Sequence, residues 1–208
     1  MELMIVIVMS LVISAIAIPE YLAGAKYLRI AGDLRDVNGT TAEAKLRAAA
    51  SFTHARIYGD LTDNTFQLQV WNKVAGCWVA DEDNTNTCLS FANAPAPSGP
   101  GNFQLSQGDT FGFGSLTSGP TAGQSTISQA AGCYPGSAAG PDGGTQLSNT
   151  ACIEFNSRGI PVDNSNTPTP NGALYITNGN VVEAVTATAT GSIQTWQCPH
   201  GQTTWAAQ

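Results

Sequence analysis

Cysteines are the residues of this 208-residue chain whose chemistry is easiest to constrain. No two of them form a CxxC pair, so the sequence indicates neither a zinc site nor a thioredoxin-type redox site. They lie in the polar part of a chain that begins with an apolar segment, which favours an oxidising compartment and disulfide bonds. The candidates are Cys77, Cys88, Cys133, Cys152 and Cys198.

Sequence separation ranks the possible disulfides. Short separation favours Cys77 with Cys88 across WVADEDNTNT, and Cys133 with Cys152 across a glycine-rich stretch. Cys198 is then left free. Pairing of Cys198 with Cys133 or Cys152 is the competing alternative, because it would tie down the last strand.

Catalytic chemistry has little support. The two histidines are His54, predicted in a helix, and His200, in a polar tail, so a Ser-His-Asp site would depend on a poorly placed residue. The acidic stretch DEDNTN at 81–86 offers oxygen ligands for calcium but lacks the spacing and the terminal glutamate of an EF-hand, so a solvated loop is favoured. Glu154 is interpreted as an outward-facing strand residue. We therefore predict no enzyme activity and no catalytic, cofactor-binding or metal-binding residues.

The charge distribution argues against nucleic-acid binding. The formal net charge is -7, and six of the eight basic residues lie between Lys26 and Arg56. From Val74 onward, eight acidic residues face one basic residue. Binding DNA or RNA requires clustered Lys or Arg, and the negative charges of such a head would repel the phosphates.

The chain opens with an almost unbroken apolar run, MELMIVIVMSLVISAIAIPEY, with Glu2 at its start and Pro19 seventeen residues later. Residues 3–18 would form a helix of about 24 Å, against roughly 30 Å of bilayer hydrocarbon. The alternative is a secretory signal peptide, because Ala15 and Ala17 form an A-x-A pattern. Against it, no basic residue precedes the run, and amphipathic sequence follows directly.

Two helical segments are predicted before the first strand. In EYLAGAKYLRIAGDLRDV, apolar residues recur at helical spacing, so the apolar segment continues into an amphipathic helix. NGT at 38–40 interrupts it, and Thr40 with Glu43 forms a capping box that starts a second helix, with Gly59 as its stop. The predicted division is an N-terminal helix over residues 1–37 and a globular head over 38–208.

From Thr65 onward the hydrophobic pattern alternates. TFQLQVW, GCWVA and CLSFA are predicted strands, and the region about 93–150, rich in Gly and Pro, is predicted to be a long loop with one strand-like island. CIEFNSRGIPV and ALYITNGNVVEAVTATATGSIQTWQC predict the main strands, with a two-residue turn at Asn178-Gly179 and another turn at 190–192. Helix first and antiparallel sheet afterwards predicts an α+β fold, with the sheet packed on the second helix.

The segment ELMIVIVMSLVISAIAIP resembles the N-terminal helix of the type IV pilin and pseudopilin superfamily, which builds bacterial type IV pili and the short pseudopilus of type II secretion. In that family a prepilin peptidase leaves an apolar helix with a glutamate near its start and a proline seventeen residues later; Glu2 and Pro19 match both. The family also carries an aromatic residue four positions before the glutamate, which implies three mature residues upstream of Met1.

The head resembles that of the H-type minor pseudopilins and the related minor pilins. The matching residues are Ala55-Arg56, expected near the end of a helix, and Phe155, Gly159 and Pro161 in a strand followed by a closing hairpin. The resemblance covers about the first 70 and the last 60 residues of the chain. It implies a long N-terminal helix, which is the membrane and filament-assembly segment, followed by a head with a mainly antiparallel β-sheet packed on the helix.

The resemblance also implies a function: a structural subunit, pilin or pseudopilin, that assembles through its N-terminal helix. Glu2 would pair with the free α-amine of a neighbouring subunit, since a lone carboxylate in a membrane seeks a partner. Pro19 would bend or loosen the helix, because it cannot donate a backbone hydrogen bond.

The partners implied are copies of itself or other pilins and pseudopilins in a helical filament, an inner-membrane assembly platform and the prepilin peptidase. No cofactor is implied. Before assembly the subunit would span the bacterial inner membrane once with its head in the periplasm, and afterwards it would lie in a periplasmic or cell-surface filament with a methylated N-terminus. The resemblance leaves open whether the subunit is major or minor, and whether it serves a pilus or a secretion system.

An exported binding module or adhesin is the alternative from another class. The first 17 residues would then be a removed signal peptide, and exposed Trp78, Trp196 and Trp205 would be candidate ligand platforms. Sequencing the mature N-terminus distinguishes the two, because Ile18 as the first residue would favour the module.

Overall fold

The computed structural model describes residues 2–83, 85–91, 101–120, 127–170, 172–199 and 201–208. Within the first helix, some side chains lie outside this description: Glu2, Leu3, Ile5, Val8, Pro19, Leu22 and Ala23. The described part of the chain forms one helix and eleven strands.

The first element is a single helix, α1, which spans Glu2–Ala50. It passes through residues 38–40 without a break, so the predicted second helix and its capping box are wrong. The Thr40 hydroxyl donates to the Asp36 carbonyl at 2.9 Å, four residues earlier, instead of capping a new helix. Apolar residues on both sides of the predicted break pack on one core, which outweighs the weak helix propensity of Asn-Gly-Thr.

Helix α1 ends at Ala50 and not at the predicted Gly59, which lies in the first strand. Phe52 adopts a left-handed conformation with φ 49°. The Thr53 N–H donates to the Ala48 carbonyl at 3.1 Å, which is the six-to-one bond of a Schellman C-cap. This cap satisfies carbonyls at the helix end without a glycine.

Two antiparallel sheets follow α1. The strands are β1 Ala55–Asp60, β2 Thr65–Asn72, β3 Cys77–Ala80, β4 Asn102–Gln104, β5 Thr110–Phe111, β6 Thr150–Phe155, β7 Pro161–Val162, β8 Gly172–Thr177, β9 Val181–Ala187, β10 Ile193–Pro199 and β11 Ala206–Ala207. Sheet A has the order β3-β2-β1-β6-β7, with β4 also paired to β2. Sheet B has the order β11-β10-β9-β8-β5.

The main core lies between α1 and the two sheets. Alternation along β8 directs Leu174 and Ile176 into this core, while Ala173 and Tyr175 face a smaller cluster on the other side of sheet B. The helix contributes its apolar positions from residue 30 onward: Ile30, Leu34, Val37, Ala44 and Ala48. Sheet B is therefore covered on both faces.

The predicted fold class is wrong. The expected architecture was α+β, with an N-terminal helix, a second helix and one sheet, whereas the described head is mostly antiparallel strand in two separate sheets. No separate helix ends at residue 37, because α1 continues into the core of the head. The predicted strand CLSFA is also wrong, since residues 88–91 are irregular. The division of the chain into assembly segment and head stays a prediction.

The closing hairpin between β8 and β9 is present, but its loop has three residues, 178–180, instead of the predicted two. Asn178 Oδ1 accepts hydrogen bonds from the backbone N–H groups of Asn180 and Val181 at 2.9 and 3.0 Å. The predicted turn at 190–192 is confirmed, and Gly191 has φ 80° there.

Candidate functional site: an exposed apolar helix above two buried charged clusters

The N-terminal half of α1 exposes large apolar side chains in all directions. Successive residues lie 100° apart around a helix, and Leu11, Val12 and Ile13 are each more than half exposed. Among the described side chains of α1, Ile30 is the first in the main core, and the Asn178 side-chain amide reaches the helix at the Lys26 carbonyl, 3.4 Å away. We call the exposed set the apolar helix surface: Met4, Val6, Ile7, Met9, Leu11, Val12, Ile13, Ile16, Ile18, Tyr21, Tyr27 and Leu28.

The two predicted assembly residues, Glu2 and Pro19, belong to this part of α1. Their side chains lie outside the described residues, so their roles stay predictions. Among the residues that the structure describes, no helix combines the length and the apolar character needed to cross a bilayer.

The cysteines form both disulfides that short separation favours. Cys77 is bonded to Cys88 and Cys133 to Cys152, with Cα–Cα distances of 5.6 and 5.2 Å. Cys198 is free and buried on β10, and burial raises the pKa of its thiol. The alternative pairings of Cys198 are therefore wrong. The two disulfides indicate an oxidising environment, extracellular or periplasmic.

A buried arginine lies at the centre of sheet A. Arg56 on β1 is fully buried, and its guanidinium carbon lies 3.9 Å from the centre of the Trp78 ring. Its Nε donates to Gln69 Oε1 at 2.8 Å and its Nη1 to the Tyr134 carbonyl at 2.6 Å, while Nη2 has no hydrogen-bond partner. Burial lowers the pKa of Arg56 to about 10, and the charge of Glu154 opposes that shift.

Glu154 is the counter-ion of this arginine. It lies opposite Arg56 in the β1–β6 register, is 7% exposed, and accepts from His54 Nδ1 at 2.6 Å. The prediction that Glu154 faces outward is therefore wrong, and His54 lies after the helix and not within it. Burial, and then the neighbouring Glu154 carboxylate, raise the pKa of Asp142 to about 7. Arg56, Asp142 and Glu154 line an open cavity of about 180 Å³.

A second charged cluster lies where α1 enters the head. We call Asp33 on α1, Asp109 before β5 and Glu183 on β9 the junction acids; each is at most 6% exposed. Ser106 donates its N–H and its hydroxyl to Asp33 at 2.8 and 2.9 Å, and Gln197 donates to Glu183 at 3.4 Å. Asp109 Oδ2 and Glu183 Oε2 are buried without a hydrogen-bond partner. The three carboxyl groups therefore come from three elements that only the tertiary fold brings together.

Two of the junction acids, Asp109 and Glu183, have a raised proton affinity. Burial, followed by a hydrogen bond and charge repulsion from Asp33, raises the pKa of Asp109 to about 7. Burial, followed by repulsion from Asp109 and Asp33, raises the pKa of Glu183 to about 7. Within the described ranges, no group of three acidic, His or Cys side chains could hold a metal ion. The raised pKa values mean that Asp109 and Glu183 hold their protons to a higher pH than ordinary carboxyl groups do.

The remaining predicted positions belong to the packing of the head. Asp83 in the acidic loop accepts hydrogen bonds from the N–H groups of Thr85 and Thr87, which closes the loop on itself; His200 lies outside the described residues. Trp78 is fully buried and Trp196 donates to Thr186 Oγ1 at 3.0 Å. Trp205 packs 5.8 Å from the Tyr175 ring centre and donates to the Ser118 carbonyl. The three tryptophans that the binding-module alternative would use as ligand platforms are thus engaged in packing or hydrogen bonds.

The head residues that carried the resemblance occupy structural positions. Ala55-Arg56 begins β1 and does not end a helix, Phe155 lies in the core, and Pro161 begins β7. Gly159 has φ 70°, and Lys45 Nζ passes close by to donate to the Gly191 carbonyl at 2.8 Å. These residues join α1 to both sheets.

Comparison with known proteins gives no match to a family model, a curated protein or a solved structure. A function therefore has to follow from the surfaces and clusters described above. The apolar helix surface is the most extensive of them, because its twelve large hydrophobic side chains are exposed to solvent in the isolated chain.

Proposed function

We propose that this chain is a structural subunit of a type IV pilus-like or type II secretion filament, and that it assembles with copies of itself or with other pilins or pseudopilins through α1. The apolar helix surface carries the proposal. Burying one Val, Leu, Ile or Met side chain contributes about 1.5–3 kcal/mol, so burial of the surface between subunits contributes on the order of 10 kcal/mol per subunit.

The all-round exposure of this surface favours several neighbours over one. A single partner in a groove would cover one stripe of the helix, whereas Leu11, Val12 and Ile13 are all exposed. The core of a helical filament, in which each helix is surrounded by other helices, covers every direction. This arrangement fits a stretch without charged residues between Met4 and Ile18, in which Ser10 and Ser14 donate their hydroxyls to carbonyls of the same helix.

The subunit is proposed to pass through the bacterial inner membrane before assembly, with its head in the periplasm and its partners a prepilin peptidase and an inner-membrane assembly platform. The two disulfides of the head support that orientation, because disulfides persist in the periplasm. The 16-residue apolar run Leu3–Ile18 supports the membrane step, and the assembled filament lies in the periplasm or on the cell surface.

Glu2 has a proposed role in register. An unpaired carboxylate among apolar helices is costly, so pairing with a positively charged group of the adjacent subunit would select one axial position. Pro19 would remove one backbone hydrogen bond and let packed helices bend.

Glu2→Leu tests this role against Glu20→Leu, which removes an exposed carboxylate from the same helix. In cells that assemble the filament, we expect Glu2→Leu to insert in the membrane normally but to fall at least tenfold in the sheared-filament fraction, as measured by immunoblot; tenfold corresponds to about 1.4 kcal/mol. Glu20→Leu should assemble like the unmodified protein. Normal incorporation of Glu2→Leu would contradict the register role.

The mature N-terminus tests the proposal as a whole. N-terminal sequencing of the purified protein should retain Glu2 and the residues of the apolar helix surface. A mature chain that begins at Ile18 would lack eight of the twelve residues of the apolar helix surface and would exclude assembly through them.

A further inference from the structure

The contact between α1 and the head includes a cluster of buried carboxyl groups near its N-terminal end. Asp33 lies one turn after Ile30, the first core residue of α1. Asp109 approaches it from the turn that begins at Ser106, and Glu183 approaches from β9. The place where the helix leaves the head is therefore closed by three carboxyl groups.

These carboxyl groups lack enough donors to be ionised together. Ser106 supplies two hydrogen bonds to Asp33 and Gln197 supplies one to Glu183, but one buried oxygen on each of Asp109 and Glu183 has no partner. A proton on either acid supplies a missing donor, whereas loss of the protons leaves buried like charges that repel each other.

We propose that the junction acids form a proton-controlled latch, which holds the N-terminal part of the helix contact on the head while protons are shared and loosens it when those protons are lost. The latch concerns the isolated subunit and does not rest on the proposed filament role. The device is a local opening and not global unfolding, because other contacts fix the end of α1.

Those other contacts lie three to four turns after Asp33 along the helix. Lys45 donates to the Gly191 carbonyl at 2.8 Å, and Arg47 forms a 2.8 Å salt bridge with Asp81. The core residues Ala44 and Ala48 also remain in place. Deprotonation should therefore release residues near Lys26 to Val37 while residues 44–50 stay packed.

Besides the junction acids themselves, the charged groups that act on the latch are two arginines of α1. Arg29 lowers the proton affinity of Asp109, and Arg35 lowers that of Glu183, but both arginines are exposed. Solvent screens exposed cations, so they offset the repulsion among the buried acids only in part.

The direction of the pH effect follows from the raised pKa values. Asp109 and Glu183 have pKa values of about 7 in the folded protein, above the usual value of a carboxyl group. A raised carboxyl pKa means that the folded state holds more protons than the unfolded state. The stabilisation is complete below the unfolded pKa, about 4, and is lost as the pH rises through about 7.

Hydrogen exchange of the full chain in detergent micelles tests the latch. After correction for the intrinsic pH dependence of exchange, we expect amides of α1 in the range 28–37 to exchange about tenfold faster at pH 8 than at pH 6, the effect of losing one proton from a group whose folded pKa is about 7. Amides of residues 44–50 should change less than twofold. Equal behaviour of both ranges in the unmodified protein would overturn the proposal.

The double variant Asp109→Asn/Glu183→Gln tests whether the pH dependence of exchange comes from these two carboxyl groups. Its two amides are uncharged and bring N–H donors to the positions of the carboxyl oxygens that lack a partner, so the pH dependence at 28–37 should fall to less than twofold. Asp36→Asn, which removes an exposed carboxyl from α1, should keep the tenfold change. A tenfold change that persists in the double variant would overturn the proposal.

Titration of the unmodified protein keeps the test decisive if the double variant does not fold. With ¹³C-labelled Asp and Glu, the side-chain carboxyl signals of Asp109 and Glu183 should titrate with midpoints near pH 7, as the folded pKa values require. Midpoints below about 5, the ordinary range of carboxyl groups, would overturn the latch.

Discussion

Arg56 is the residue whose environment departs most from that of an ordinary surface charge. It is buried in β1, where all six residues of the strand are buried, so water cannot solvate the guanidinium. The Trp78 ring, Gln69 and the Tyr134 carbonyl replace that water, and Glu154 supplies the opposite charge. The arginine and its partners are therefore stable only together.

Removing Arg56 should destabilise the head strongly. Arg56→Met keeps much of the side-chain volume but leaves the Gln69 side-chain oxygen and the Tyr134 carbonyl without their donor and removes a cation near Glu154, and we expect a loss of about 3–5 kcal/mol. Urea unfolding followed by tryptophan fluorescence measures the change. The exposed Arg158→Met is the control and should change the free energy of unfolding by less than about 0.5 kcal/mol. A similar stability of both variants would show that the buried cation is not required.

At the scale of elements, a three-way contact joins α1 to turns of both sheets. The Gly159 turn between β6 and β7 and the Gly191 turn between β9 and β10 meet at Lys45. Gly191 has φ 80°, and a Cβ added there would lie 2.5 Å from the Gly159 carbonyl oxygen. Backbone approaches backbone at this contact, so no side-chain rotation can relieve the overlap.

Gly191→Ala should therefore lower the free energy of unfolding by more than backbone strain alone would. The matched control is Gly179→Ala, because Gly179 has φ 83° but a Cβ there meets nothing within 4 Å. The control should lose about 1 kcal/mol from its left-handed conformation, and Gly191→Ala about 2–3 kcal/mol, measured as the free energy of unfolding. Equal losses would mean that the two turns move apart without cost.

At the scale of the whole molecule, the apolar helix surface and the core are separate parts of one helix. The apolar helix surface ends at Leu28, and the main core takes its first residue from α1 at Ile30. The head should therefore not require the first 25 residues for its stability. It should require the helix from about residue 26 onward, since Ile30 and Leu34 fill space between the sheets.

Two truncations test this division. A chain of residues 26–208 should be monomeric in buffer without detergent and should melt within about 3 °C of the full chain. A chain of residues 37–208 lacks the buried side chains of Ile30 and Leu34 and should lose about 4 kcal/mol or more. Sedimentation and calorimetry measure the two properties. Unfolding of the 26–208 chain would show that the head depends on the apolar segment.

The sequence by itself determined the features that depend on neighbours along the chain. Alternating residues located β2, β6, β8 and β9, Asn178-Gly179 located the closing hairpin, and short separation selected both disulfides. The exposure of apolar residues from Met4 to Ile18 could also be predicted, since a helical run without charged residues has no charged face to turn outward.

Only the tertiary structure decided where the helix ends and which charged side chains lie next to each other. The helix continues through residues 38–40 because Val37 and Ala44 pack on one core, although the local sequence favours a break. Glu154 alternates like an outward-facing residue, yet β1 brings it opposite Arg56. More than seventy residues separate Asp33 from Asp109, and more than seventy separate Asp109 from Glu183, so no local pattern indicates their contact. Burial and charge pairing arise from contacts between residues far apart in the chain, and the pattern of neighbouring residues does not reveal those contacts.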